Sequence, residues 1–172
     1  MIRKGTVLIL GLGNEILADD GIGIKLINEL KKKCFPSDID FSTAACGGLE
    51  IVEMMDGYRE VIIIDAIKTK GGIPGRVYHM IPSQLKQSSH ASNFHDVSFQ
   101  TAMKFGREAG IGIPDKVDII AIEIVEDMLF SNRFSEVIEK KYTEILDEVT
   151  GLIINILASS KSGARQKKIV FT

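Results

Sequence analysis

EVIIIDAI, residues Glu60–Ile67, is the stretch that decides the fold. Its continuous apolar run predicts a strand buried on both faces, which is typical of a parallel sheet covered by helices on both sides. Asp65 ends the run and is therefore expected at the C-terminal tip of a central strand. A buried carboxylate is costly unless it is paired, hydrogen-bonded or coordinated. Asp65 is thus a candidate site residue, and the alternative is that it caps a neighbouring helix or loop.

Strands and helices are predicted to alternate on either side of this stretch. The further strands are expected at Thr6–Leu10, Asp40–Ala45, Arg76–Ile81 and Val117–Ile124, and the helices at Gly21–Lys33, Gly48–Met55, from about Asn93 or Asp96 to Ala109, and at Phe134–Leu157. This order predicts an α/β fold, a three-layer α/β/α sandwich around a mainly parallel, twisted sheet of about five strands. Ligands bind such sheets beyond the C-terminal ends of the strands.

The composition predicts one soluble domain at residues 1–158, followed by a basic, flexible tail at 159–172. With 172 residues the chain can bury a core that needs neither disulfides nor a structural metal. The formal net charge of −2 argues against nucleic acid as a partner. Cys34 and Cys46 have no metal or redox spacing and are expected to be reduced thiols. No membrane span or signal peptide is apparent, so we expect a cytoplasmic protein, and we expect it to be a monomer.

The glycine loop after the first strand resembles a dinucleotide fingerprint only in part. GLGNEI, beginning at Gly11, has Ile16 where the third glycine belongs, and branched bulk there opposes the close approach of strand and helix. The adjacent carboxylates of Asp19 and Asp20 would repel a phosphate. Nucleotide binding is therefore disfavoured, although one of the two aspartates is expected to serve as an ordinary helix cap.

Carboxylates and histidines are predicted to meet at one edge of the sheet. Asp20 follows the first strand, Asp65 ends the third, and the polar segment 82–95 carries His90 and His95. A segment of that length and polarity is typical of a functional loop. Two carboxylates and one imidazole with open positions form a site for nickel, zinc or iron. His79 alternates along a strand and is predicted to be structural.

Three stretches together resemble the [NiFe]-hydrogenase maturation endopeptidases. They are GLGNEILADDGIG (Gly11–Gly23), EVIIIDAI with the following GGIPG turn, and SSHASNFHDV (Ser88–Val97), in matching order over most of residues 6–150. The resemblance implies an endopeptidase that removes a C-terminal extension from the hydrogenase large-subunit precursor after nickel insertion. By motif position, it implies that Asp20, Asp65 and His90 contact the metal.

The interpretation that follows is recognition by coordination. Nickel is substrate-borne and is held by the precursor, and Asp20, Asp65 and His90 complete its coordination shell. No organic cofactor is expected. Asp20 and Asp65 are also the candidates for a catalytic base in an aspartyl-type protease. His90 is preferred over His95, which would lie in the first turn of the next helix. The alternatives are a nickel-binding maturation chaperone that does not cut and, less favoured, a nucleotide-binding domain.

Two further expectations concern the substrate. Specificity is expected to lie in the 82–95 loop and in the segment after Ile124, VEDMLFSNRF, which should leave the same edge of the sheet. The glycine pairs Gly47-Gly48 and Gly71-Gly72 are either places where an extended substrate approaches the backbone or simple turns.

Overall fold

The computed structural model describes residues 6–87 and 99–166 of the chain. Five strands and four helices lie in these ranges, with short 3₁₀ helices at Ala18–Gly21 and Pro82–Gln87. The strands are β1 (Val7–Leu12), β2 (Ile39–Ala44), β3 (Glu60–Ile67), β4 (Val77–Met80) and β5 (Lys116–Glu123). The helices are α1 (Ile22–Leu30), α2 (Leu49–Met55), α3 (Phe99–Glu108) and α4 (Glu136–Gln166).

The strands form one twisted sheet in the order β2-β1-β3-β5-β4. β1 lies parallel to β2 and β3, and β3 lies parallel to β5, while β4 is antiparallel to β5. Every residue of β3 is buried, because this strand lies in the middle of the sheet with helices on both faces. The predicted α/β fold with a mainly parallel sheet is confirmed.

Two apolar clusters lie on opposite faces of the sheet. Alternate residues of the strands pack on one face against α1 and α4, as Ile62 and Ile64 do, and on the other face against α2 and α3, as Val61 and Ile63 do. Burying a side chain of this size stabilises the fold by about 1.5–3 kcal/mol. The two clusters therefore account for the three layers.

The GGIPG turn does not form a hairpin with β3. β5 lies between β3 and β4 in the sheet, so the turn carries the chain across the end of β5. Because β4 is antiparallel, the segment after Ile81 leaves the sheet at the edge opposite to Asp65. The 82–95 loop is predicted to lie over the edge that carries Asp20 and Asp65, and its first residues, 82–87, lie at the opposite edge instead. His90 and His95 lie outside the described residues.

The last helix is longer than its apolar pattern indicates. It begins at Glu136 and continues beyond the predicted end at Leu157 to Gln166. The predicted tail at 159–172 therefore begins within a helix, and residues 167–172 lie outside the described part. Within the described ranges, no helix combines the length and the apolar character needed to cross a membrane.

Helix α1 approaches the sheet through two glycines. A Cβ atom on Gly23 would collide with the carbonyl oxygens of Leu12 and Ile64, and one on Gly11 would collide with the backbone of Gly23. Ile16, by contrast, is 57% exposed and takes no part in this contact. The prediction that Ile16 occupies the helix–strand contact is wrong, because the 3₁₀ helix delays the start of α1 to Ile22.

Candidate active site

A cavity of about 350 Å³ lies at the carboxyl ends of the parallel strands. Its walls come from the segments that follow β1, β2 and β5 and from the end of β3. Asp20, Asp65 and Asp127 all line it. The position is the one at which open α/β sheets bind their ligands. Twelve residues line the cavity: Leu12, Gly13, Asn14, Leu17, Asp20, Ala45, Cys46, Gly47, Ile51, Asp65, Asp127 and Met128.

Asp65 is buried at the end of β3, in register with Ala121 of β5. Its Oδ1 accepts a hydrogen bond of 2.8 Å from the backbone N–H of Ala66. Burial raises the pKa of Asp65 to about 7, the Ala66 N–H opposes that rise, and the negative charge of Asp20 adds to it. The Asp65 carboxyl can therefore exchange a proton near neutral pH.

Asp20 lies on the 3₁₀ helix between β1 and α1 and is 9% exposed. Its Oδ2 accepts a hydrogen bond of 2.8 Å from the backbone N–H of Asn14, which fixes the carboxylate against the glycine loop. Its charge acts on Asp65, and both residues line the same cavity. The structure thus brings together Asp20 and Asp65, as the sequence predicts.

Asp19 faces away from the cavity and is fully buried. Its Oδ2 accepts hydrogen bonds from the backbone N–H groups of Val125 and Glu126 and from the hydroxyl of Ser135. Its Oδ1 accepts a bond of 2.6 Å from the Ser135 N–H, just before α4. Asp19 therefore anchors the loop after β5, and the structure shows no side-chain cap from it on α1.

A second buried acid, Glu123, anchors the loop after β3. Its carboxylate accepts hydrogen bonds from the N–H and the hydroxyl of Thr69, at 2.6 and 2.8 Å. A side chain on Gly72 would collide with this carboxylate. A side chain at position 72 would therefore displace the Glu123 carboxylate from its place beside Thr69. Sequence reasoning did not identify Glu123, although, like Asp65, it ends an apolar run.

An ion pair joins two loops at the cavity. Lys68 Nζ, after β3, lies 2.8 Å from Oδ1 of Asp127, after β5. This contact raises the pKa of Lys68. Asp127 lies in the VEDMLFSNRF segment, which the sequence places at this edge of the sheet, but no pattern singles out the residue itself.

The remaining candidates have other partners. Cys46 lines the cavity but has its pKa raised by burial and by a hydrogen bond with Glu50, which keeps it a thiol. Cys34 and Cys46 are both free. His79 Nε2 lies 2.8 Å from Oδ1 of the buried Asp118, on the β4–β5 pair. In residues 6–87 and 99–166 no group of three or more His, Cys, Asp or Glu side chains is placed to hold a metal ion.

Residues 24–152 match the family model described as hydrogenase maturation protease. The chain is 26% identical over 123 residues to hydrogenase 2 maturation protease of Escherichia coli strain K12, which covers 67% of this chain and 71% of that protein. These matches give no support to a chaperone or a nucleotide-binding domain.

Solved structures show the same fold. The hydrogenase maturating endopeptidase HybD of E. coli superposes with a TM-score of 0.68 at 20% identity, over 87% of this chain and 92% of that one. HybD of Thermococcus kodakarensis gives 0.62 at 23% identity, over 85% and 97%. Because the family model matches residues 24–152, the chain belongs to the hydrogenase maturation protease family and is a peptide hydrolase.

Proposed function

We propose that the protein removes the C-terminal extension of a [NiFe]-hydrogenase large-subunit precursor after nickel has been inserted. Membership of the protease family supports the reaction type. The single observation that carries the assignment of the site is the pair of buried carboxylates, Asp20 and Asp65, on the wall of one cavity.

In this proposal the precursor's nickel is recognised as part of the substrate. Asp20 and Asp65 supply two carboxylate oxygens, His90 supplies an imidazole, and the precursor's cysteines hold the other positions. A carboxylate–imidazole set of this kind suits a borderline divalent cation. The approach of a cation favours the ionised form of Asp65, so a carboxyl that burial makes costly to ionise gains a partner. A precursor without nickel would lack that partner and bind weakly.

The same two acids are our candidates for the chemical step. Burial raises the pKa of Asp65 to about 7 before substrate binds, and once the substrate's cation favours its ionised form, Asp65 is the candidate to accept a proton from an attacking water. Asp20 keeps its carboxylate oriented through the Asn14 N–H. We therefore assign the general base to Asp65 and orientation of the metal-bearing substrate to Asp20.

The test uses purified protein and a nickel-loaded large-subunit precursor, with mass spectrometry of the product. We expect one C-terminal truncation that requires nickel. Binding without truncation, or equal truncation of the nickel-free precursor, would overturn the proposal.

His90 is tested separately, with His95 as the matched control. We expect His90→Ala to abolish processing and His95→Ala to have a mild effect. The reverse result would assign the imidazole to His95. The proposal also includes a cytoplasmic location and a monomeric state, which cell fractionation and light scattering test.

A further inference from the structure

Four large apolar side chains are exposed beside the cavity, on two loops. Ile16 is 57% exposed, Met128 79%, Leu129 59% and Phe130 78%. A parallel bridge pairs Leu17 with Ser131, which places Ile16 next to Phe130. We call these four residues the apolar ridge. Contiguous apolar side chains on a protein surface mark interaction sites more often than single ones do.

The backbone under the ridge is held in one conformation by hydrogen bonds. The Glu126 carboxylate accepts bonds from the N–H groups of Met128 and Leu129, at 2.8 and 3.0 Å. The Ser131 N–H donates to the carbonyl of Ile16 at 3.0 Å. The buried Asp19 fixes the start of the same loop through the Glu126 N–H. The ridge is therefore presented to solvent in a fixed shape, which lowers the entropy cost of binding a partner.

The ridge continues directly into the cavity. Met128 belongs to the ridge and also lines the cavity, beside Leu17 and Asp127. A polypeptide whose end enters the cavity beside Met128 can therefore contact the ridge. We propose that the apolar ridge is a docking site for an apolar segment of the large-subunit precursor, outside the bond that is cut. This inference rests on the proposed function and names the surface by which that substrate is held.

A protein occupant is favoured over a membrane because the ridge shares Met128 with the cavity, which a polypeptide can enter and a lipid surface cannot. Charge does not decide between the two, because Asp127 is paired with Lys68 and Arg133 follows the ridge in the chain. A second copy of this chain is a distinct occupant, and the experiment below separates it from the precursor.

The experiment measures processing of the nickel-loaded precursor by Met128→Ser, Phe130→Ser and the double variant. The matched control is Phe105→Ser, which makes the same change at a side chain that is 59% exposed on α3 and lies outside the cavity lining. We expect KM to rise by about tenfold or more in the double variant, because exposed apolar anchors lose their contact area. We expect kcat to stay unchanged in Phe130→Ser, since Phe130 lies outside the cavity lining, and the Phe105→Ser enzyme to behave as wild type.

Three results would overturn the docking site. They are an unchanged KM in the double variant, an equal rise in Phe105→Ser, and a wild-type dimer that the double variant converts to monomer with KM unaffected. If the wild type does not cut the precursor at all, the proposed function is overturned, and the docking site is then tested by measuring how tightly the precursor binds. Precursor binding that the double variant weakens would then support the ridge, and equal binding by both proteins would overturn it.

Discussion

Buried carboxylates occur in two regions at the same edge of the sheet. Asp20 and Asp65 are cavity-wall acids, whereas Asp19 and Glu123 are loop-anchor acids. All four are at most 9% exposed, so burial does not separate them. The anchor acids each accept hydrogen bonds from a neighbouring loop across the edge, as Glu123 does from Thr69.

This difference shows which property marks a site. A buried carboxylate saturated by donors lowers the free energy of the fold. A carboxylate that faces a cavity keeps part of its desolvation cost, as the raised pKa of Asp65 shows, and is available to a ligand. Adjacent residues, Asp19 and Asp20, fall into different classes.

The largest expected effect is on activity at the cavity wall. We expect Asp65→Asn and Asp20→Asn each to reduce processing by at least about 10³-fold, because a neutral amide neither accepts the proton nor binds the cation as a carboxylate does. Precursor turnover followed by mass spectrometry measures this. Glu123→Gln is the matched control, a conservative change at a buried anchor acid, and it should retain most activity. Equal loss in all three variants would erase the distinction between the classes.

The next effect is on stability as a function of pH in the metal-free protein. The pKa of Asp65 is raised from 3.8 to about 7 in the folded state. Folding thus favours the protonated form of Asp65. The gain in the free energy of unfolding that results is complete below about pH 4 and is lost as the pH rises towards 7. Over this pH range we expect the free energy of unfolding of wild type to fall by up to about 4 kcal/mol relative to that of Asp65→Asn, at about 1.4 kcal/mol per pKa unit.

Urea unfolding of both proteins at a series of pH values measures this difference. Asp38→Asn, at an exposed aspartate, is the control and should give a curve parallel to that of wild type. Parallel curves for wild type and Asp65→Asn would show that Asp65 is not a desolvated cavity-wall acid.

An anchor acid should instead contribute stability at neutral pH. Asp19→Ala removes the acceptor for three backbone N–H groups and one hydroxyl, and we expect a loss of about 3 kcal/mol. Thermal or urea unfolding at pH 7 measures it, with Asp38→Ala as the exposed control. A loss within about 0.5 kcal/mol, as typical of surface changes, would move Asp19 out of the anchor class.

The smallest effect concerns Asp127, which lines the cavity and is also tied to another loop. Lys68→Met removes the ion pair, in which the Lys68 side chain is 44% exposed. Exposed pairs contribute little, so we expect a loss of less than about 1 kcal/mol by urea unfolding. A larger loss would place Asp127 with the anchor acids.

Local patterns were sufficient for the strands and for one class of acid. The bounds of β3 agree with the prediction, because an uninterrupted apolar run of this length is buried on both faces, as in the middle of a sheet. Asp65 was identified because it ends that run. Glu123 ends a similar run, and what distinguishes it is Thr69, a partner 54 residues away along the chain.

The errors arose where geometry is set by distant parts of the chain. The position of β4 depends on which strand edge is free, and its own four residues do not encode that. The loop before α1 contains Ala18 with a φ of 43°, held by a hydrogen bond from its N–H to the carbonyl of Ser131. No pattern near Ile16 signals that bond, so Ile16 was wrongly placed in the helix–strand contact, although the predicted start of the helix at Gly21 lies one residue from the observed Ile22. The histidine of the site stays a prediction.

The contact between α1 and the sheet has a consequence for changing this enzyme. Gly23 has the carbonyl oxygens of Leu12 and Ile64 where a Cβ atom would lie. A backbone atom cannot rotate away as a side chain can, so even alanine would push the helix outward. Asp20 lies just before that helix and Asp65 lies just after Ile64. Gly23 therefore sets the distance between the two carboxylates, although it has no side chain in the cavity. Variants that aim to change this site should therefore leave position 23 untouched and alter the cavity wall.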